Sequence, residues 1–241
     1  MTDDILSDAT RAKLKKVSTA SIATALFKRG LRNQFIQGVV PVAPKEEVMV
    51  GQAFTLRYIP AREDRNPITA FRSPDHPQRV AIETCPPGWV LVMDGRKDAR
   101  AATAGSILIT RLAIRGAAGV VTDGGMRDAA GIAELDMPAY FAKPSAPTNL
   151  THHEALDINV PVSCGDAPVF PGDVMVGDRD GVMVIPAHLA DEIAEECTGM
   201  ESYEDFVLKE VQGGAGIIGL YPCTKDENQK KYEAWRTENG R

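Results

Sequence analysis

The sequence predicts one α/β domain with extra helices at both ends, and three observations carry that expectation. Apolar WVLVMDG (89–95), amphipathic ILITRLAIRGAAG (107–119) and apolar GVVTDGG (119–125) follow one another in the strand–helix–strand order of a βαβ unit. In PGDVMVGDRDGVMVIP (171–186), Val174 and Val176 answer Val182 and Val184 around an Asp/Gly turn, the signature of a hairpin. With 241 residues, 44% of them hydrophobic, the chain is long enough to bury a sizeable core. The whole of 1–241 therefore reads as one domain. A helical segment over 1–38 and a C-terminal helix plus tail over 187–241 would pack on the core or on a neighbouring subunit.

Near the start, SIATALFKRG (21–30) puts Ile22, Leu26 and Phe27 on one helical face. Ser18, Thr19 or Ser21 would cap it and Gly30 would end it, followed by a turn. Short β-rich runs fill Val39 to Tyr58. The stretch 61–79 is polar, rich in arginine and broken by Pro67, Pro74 and Pro77, so it reads as a long surface loop. Its arginines either reach an anionic substrate or are simply solvated. After the βαβ unit, PAYFAKP (138–144) and INVPVSCG (158–165) read as strands. A helix pattern returns from Ala187 to Val211 through Leu189, Ile193, Cys197, Met200 and Phe206, with Gly199 as its weak point. The polar tail beyond it would pack Tyr221, Tyr232 or Trp235 onto a neighbour.

Composition excludes several classes of function. Lys and Arg number 27 against 33 Asp and Glu, a net charge of −6, so the basic footprint of a direct nucleic-acid binder is missing. No apolar run approaches the roughly 20 residues of a membrane span. The opening MTDDILSDATRAKLKK is polar where a signal peptide is greasy. Cys85, Cys164, Cys197 and Cys223 are scattered, with no zinc-site spacing. A reduced, cytoplasmic protein is the expectation.

The chemistry is expected between Gly105 and Asp128. A helix starting near Ser106 presents the backbone amides of Ile107 and Leu108 to a carboxylate or phosphate. Further on, Arg127 and Asp128 leave a glycine turn beyond a buried strand, where open α/β sheets place their ligands. Arg127 offers a planar fork for a carboxylate and Asp128 an oxygen ligand for a hard cation. Read without a ligand, the same pair is an internal Arg–Asp contact or a helix cap. Three other features are weaker. Asp94-Gly95-Arg96-Lys97-Asp98 either lines the same cleft or is a surface turn. His152-His153 lacks a third ligand at metal-site spacing, and the glycine-rich 213–219 lacks the strand and helix of a dinucleotide fingerprint.

AGSILITRLAIRGAAGVVTDGGMRD (104–128), with STASIATALFKRG, VGQAFTLRY and PGDVMVGDRDGVMVIP in order around it, resembles the RraA-like family. That family includes 4-hydroxy-4-methyl-2-oxoglutarate/4-carboxy-4-hydroxy-2-oxoadipate aldolases and regulators of ribonuclease E activity. The resemblance implies a β/β/α-type sandwich, a swivelling-domain-like fold, assembled as a homotrimer or a dimer of trimers. It implies a lyase that cleaves or decarboxylates a small 2-oxo acid to pyruvate with Mg²⁺ or Mn²⁺. Under it Arg127 binds the substrate carboxylate and steadies the enolate, while Gly105, Ile107 and Leu108 form the anion cradle. Asp128 holds the metal, and Glu204 (with Glu201 and Asp205 as alternatives) reaches a neighbour's site. The family pattern is an Asp, twenty residues, then Arg-Asp; here Ser106 stands where that Asp is expected. A hydroxyl cannot supply its charge or serve as a comparable base, though Ser106 suits a helix N-cap. The alternative function is a non-catalytic regulator that binds ribonuclease E, and a third is a lyase or dehydratase for sugar-acid derivatives read by the 61–79 arginines.

Overall fold

The computed structural model describes residues 6–240. Two helices, α1 (Asp8–Leu14) and α2 (Thr19–Lys28), stand where the sequence predicts one helix and a turn. Two caps explain the split. Ser7 and Ser18 lie in extended backbone, and their hydroxyls accept the N–H of Thr10 and Ser21 at 3.1 Å each. Gly30, at φ +81°, ends α2 in the left-handed region as expected.

Strands β1 (Val40–Pro41) and β2 (Met49–Pro60) follow, then a 3₁₀ turn at Ile68–Arg72 and α3 (Pro77–Thr84). Part of the predicted loop is thus helical. A run of prolines signals loop, but Pro77 occupies the first position of α3, where its missing N–H costs nothing. Next come β3 (Trp89–Asp94), β4 (Ala102–Ala104), α4 (Ser106–Ile114), β5 (Gly119–Thr122) and β6 (Gly125–Met126). They are followed by α5 (Ala129–Ala133), β7 (Ala139–Phe141) and β8 (Lys143–Pro144). The last strands are β9 (His153–Ile158), β10 (Val162–Cys164), β11 (Ala167–Val169), β12 (Val174–Gly177) and β13 (Val182–Ile185). Helices α6 (Ala190–Gln212) and α7 (Asp226–Glu238) close the chain.

The main sheet runs β1-β7-β5-β3-β2-β12-β13, with β9 also paired to β2. Its centre, β7-β5-β3-β2, is parallel, with α3 crossing between β2 and β3 and α4 between β3 and β5. The predicted βαβ unit therefore has a second one joined to it. β2 takes β12 at one end and β9 at the other, both antiparallel, and its register shifts at Arg57/Tyr58, which bends and curls the sheet. The predicted hairpin is present as β12–β13, with Val174 opposite Ile185 and Val176 opposite Met183.

β3 shows why its sequence is apolar from Trp89 to Met93. Leu91 and Met93 pack toward Ile82 of α3 and Ile109 and Leu112 of α4. Val90 and Val92 pack on the opposite face against Cys164 and Val169 of the β10–β11 hairpin. A parallel strand covered on both faces gains from each residue, about 1.5–3 kcal/mol for a fully buried large side chain. A third cluster joins Leu14, Ile22 and Leu26 of the N-terminal helices and Ile193 and Cys197 of α6 to Val174, Val176 and Ile185. Arg29 adds ion pairs from α2 to Glu192 and Glu196 of α6.

The C-terminal region departs from expectation twice. α6 runs unbroken through Gly199, and the polar tail contains α7. Tyr232 and Trp235 of α7 gather around Phe206 of α6, with ring centroids 5.6 and 5.9 Å away. These aromatics pack within the chain; of the three expected at a neighbour, Tyr221 remains exposed. Among the described residues no helix is long and apolar enough to cross a membrane.

Candidate active site

A small parallel sheet, β4-β6-β8, positions the candidate residues. Ala104 pairs with Met126, so the segments leaving these strands, Gly105-Ser106 and Arg127-Asp128, emerge side by side. The Arg127 N–H donates to the Ala104 carbonyl at 3.1 Å. A Cβ on Gly105 would lie 2.7 Å from Arg127 Cγ and 3.0 Å from Asp128 Oδ2, so only glycine permits this approach. Asp128 adopts φ +59°, a left-handed conformation that Asp tolerates better than most residues. Its carboxylate turns back on α4, with Oδ2 3.4 Å from Ser106 N, 3.3 Å from Ser106 Oγ and 3.6 Å from Arg127 Nε.

This geometry revises the start of α4. Gly105 is the N-cap and Ser106 the first helical residue, so Ser106 is not the cap its chemistry suggests; the Asp128 carboxylate faces that helix end instead. The Leu108 amide donates to the Gly105 carbonyl at 3.1 Å. Of the two predicted cradle amides, Ile107 therefore keeps an N–H with no acceptor among the described residues.

Arg127, Asp128, Gly105, Ile107 and Leu108 share one solvent-reachable cleft of about 210 Å³. Its other walls are Phe71, Gln78 and Arg79 from the 61–84 region, Ala102 and Ala104 of β4, and Thr148 and Asn149. Larger depressions, of about 860 Å³ around Arg11 and about 720 Å³ beside Lys16 and Tyr232, are not lined by Arg127, Asp128 or the start of α4.

The family model described as RraA-like (Aldolase/RraA) matches residues 19–184, which contain all of this cleft. The chain belongs to the RraA-like family. A relative from Halalkalibacterium halodurans carries the name "Putative 4-hydroxy-4-methyl-2-oxoglutarate aldolase". It is 35% identical over 141 residues, covering 58% of this chain and 67% of the relative. Streptomyces coelicolor RraAS2, described as an unusual member of the RNase ES inhibitor RraA protein family, superposes with a TM-score of 0.73 at 29% identity. That match covers 83% of this chain and 96% of RraAS2. An uncharacterised Pseudomonas syringae protein shares the fold, with a TM-score of 0.77 at 22% identity over 90% of this chain and 98% of its own.

Other sequence candidates of this RraA-like chain lie elsewhere. Glu204 accepts from Tyr221 Oη at 2.7 Å, and Glu201 accepts from the Ser18 N–H and hydroxyl at the start of α2. Neither lines the cleft of its own chain. The 94–98 segment is a turn: Lys97 pairs with Asp166 and Asp98 with Arg100, which holds the Asp98 carboxyl well below the usual range. His153 is buried, with Nε2 2.9 Å from the Asp98 carbonyl. Its pKa is lowered by burial and then by Arg96.

Two contributors escaped the sequence reading. Asp123 is buried, and its carboxylate accepts the N–H groups of Gly95 at 2.6 Å, Lys97 at 3.0 Å and Gly165 at 2.9 Å. It ties the 94–98 turn and the β10–β11 turn to the end of β5, and burial raises its pKa. An acid immediately before a Gly-Gly turn, at the end of a buried strand, is the signal that could have found it. The second is Arg79 with its neighbours Phe71 and Gln78, which come from a stretch whose arginines could not be told apart in sequence.

Among the described residues no group of three or more His, Cys, Asp or Glu could hold a metal ion. The cleft provides one carboxylate, Asp128, beside the Ser106 hydroxyl. That donor set fits a hard cation such as Mg²⁺, which keeps most of its own waters and accepts one or two carboxylates, and does not fit a closed tetrahedral site.

Proposed function

We propose that this RraA-like protein is a carbon–carbon lyase that cleaves or decarboxylates a small 2-oxo acid to give pyruvate. One observation carries the reading: Arg127, Asp128 and Ile107 line one small solvent-reachable cleft, with Arg127 Nε 3.6 Å from Asp128 Oδ2. Asp128 is the residue that would hold Mg²⁺ or Mn²⁺, which when bound would supply Lewis-acid charge to the 2-oxo acid. The Ile107 N–H, at the positive end of α4, orients the substrate carboxylate. Arg127 places positive charge where the carbonyl oxygen becomes negative as the carbon–carbon bond breaks, the logic of an oxyanion hole. Gly105 keeps these groups in register. Retro-aldol cleavage also needs a base for the 4-hydroxyl proton, and Ser106 is not a comparable base; loss of CO₂ from oxaloacetate needs none. Decarboxylation is therefore the better supported of the two reactions. In the assembly that the resemblance implies, a homotrimer or dimer of trimers, Glu204 of a neighbouring copy would complete the site.

The test is pyruvate release from oxaloacetate and from 4-hydroxy-4-methyl-2-oxoglutarate, with Mg²⁺ or Mn²⁺ and with EDTA. Metal-dependent release, reduced at least about a hundredfold in Arg127→Ala, is the expected result. The second reading, a regulator acting by contact with ribonuclease E, is favoured by Ser106 and by the likeness to RraAS2. No release from either compound, together with measurable ribonuclease E binding, would establish it instead.

A further inference from the structure

The arginine-rich stretch separates in the fold. Arg62 pairs with Asp64, and Arg65 with Glu154. Arg79, in the first turn of α3, instead faces the cleft. Its guanidinium lies over the Phe71 ring, 4.2 Å from the centroid, and donates to Gln78 Oε1 at 3.0 Å. Gln78 is itself buried and fixed, donating to the Thr103 carbonyl at 2.5 Å and to Asn149 Oδ1 at 3.4 Å. Arg79 is thus held in place by a ring and a neutral amide. Among the described residues no carboxylate lies within ion-pair distance of it. Its partly buried charge is unbalanced, a situation that proteins usually relieve with an acid.

Across the cleft, Arg127 already has Asp128 within 3.6 Å. The walls therefore carry two guanidinium ions and one carboxylate, and Ser106 leaves out the second acid that the family resemblance implies. A monoanionic 2-oxo acid satisfies the Arg127 end and leaves Arg79 without a partner. The geometry points to Arg79 as a specificity-determining residue that binds the distal carboxylate of a doubly charged 2-oxo acid. Phe71 and Gln78 hold the planar fork in one orientation, so less side-chain entropy is lost when it takes the carboxylate in bidentate fashion. The inference rests on the 2-oxo acid reading of this site, and its test is independent of turnover.

That test is titration calorimetry at fixed Mg²⁺ with two unreactive probes, dianionic 2-oxoglutarate and monoanionic 2-oxobutyrate. The wild-type protein should bind 2-oxoglutarate at least about tenfold more tightly, the worth of one charge-assisted contact. Arg79→Gln should erase the preference while leaving 2-oxobutyrate affinity unchanged, and Arg79→Lys should recover part of it. Circular dichroism checks the fold; if Arg79→Gln does not fold, Arg79→Lys and Phe71→Leu, each expected to narrow the preference, carry the test. No preference in the wild type, including no binding of either probe, overturns the assignment, as does equal weakening of both probes by Arg79→Gln. Preference without pyruvate release from any substrate would retain Arg79 and reject the lyase. Release without preference would do the reverse.

Discussion

At Gly105 a single missing Cβ decides whether two segments can share a site. In Gly105→Ala the new methyl would meet Arg127 Cγ at 2.7 Å and displace the pair from the start of α4. We expect about a 10–100-fold loss of pyruvate release, with stability lowered by about 1 kcal/mol or less. Steady-state kinetics and thermal melts separate the two effects. Ser106 makes the complementary case, its hydroxyl lying 3.3 Å from Asp128 Oδ2. An aspartate there would set two carboxylates side by side, repelling each other unless a cation intervenes. Ser106→Asp should therefore tighten Mg²⁺ binding about tenfold and raise aldol cleavage relative to decarboxylation. Unchanged Mg²⁺ affinity by calorimetry would argue against Asp128 as the metal-holding residue. Both residues were visible in the sequence. Their spacing from Arg127 could be counted, but the choice of Gly105 over Ser106 as the cap depended on where Asp128 turned.

For whole elements, legibility followed apolar patterning. β3, α4, β5 and the β12–β13 hairpin were readable because each is an apolar run or an amphipathic stretch that the rest of the chain buries. α3 and α7 were not. α3 begins at a proline within a polar run, and α7 (Asp226–Glu238) has few apolar residues, of which Tyr232 and Trp235 complete a cluster seeded by α6. Packing of one element on another creates such helices, so local sequence shows them weakly. Trp235→Ala should cost about 2 kcal/mol and loosen α7, read as easier proteolysis beyond Gln212. Oligomer size by light scattering should not change, since the ring packs on Phe206 and Tyr232 of its own chain.

Over the molecule as a whole, charge is unevenly placed. A chain of net charge −6 keeps two arginines at one small cleft, so binding of an anion there should weaken as salt rises. Stability should also depend on pH through His153. A carbonyl only accepts, so His153 Nε2 carries the proton, and Nδ1 accepts from Arg96 at 3.2 Å. Burial and Arg96 lower its pKa below 6.5, outweighing Asp98. The folded protein therefore holds fewer protons than the unfolded chain between that lowered value and 6.5. The contribution of neutral His153 is full above 6.5 and is lost as pH falls through this window, by at most about 1.4 kcal/mol per pH unit. His153→Gln should give a flatter melting temperature than wild type between about pH 7.5 and 5.5. Parallel curves would show that His153 does not titrate in that range.

Read alone, the amino-acid order established the α/β class, the βαβ unit and hairpin and the family likeness, and singled out Gly105, Ser106, Arg127 and Asp128 as candidates. These are local facts, set by apolar period, turn chemistry and short spacings within about one supersecondary unit. Folding assigned the partners. It sent Arg65 to Glu154 and Arg79 to the cleft, tied the Asp123 carboxylate to the backbone of Gly95, Lys97 and Gly165, and turned the Asp128 carboxylate onto α4. Such assignments join residues far apart in the chain. They follow from strand order and sheet curvature, which no stretch of sequence carries by itself.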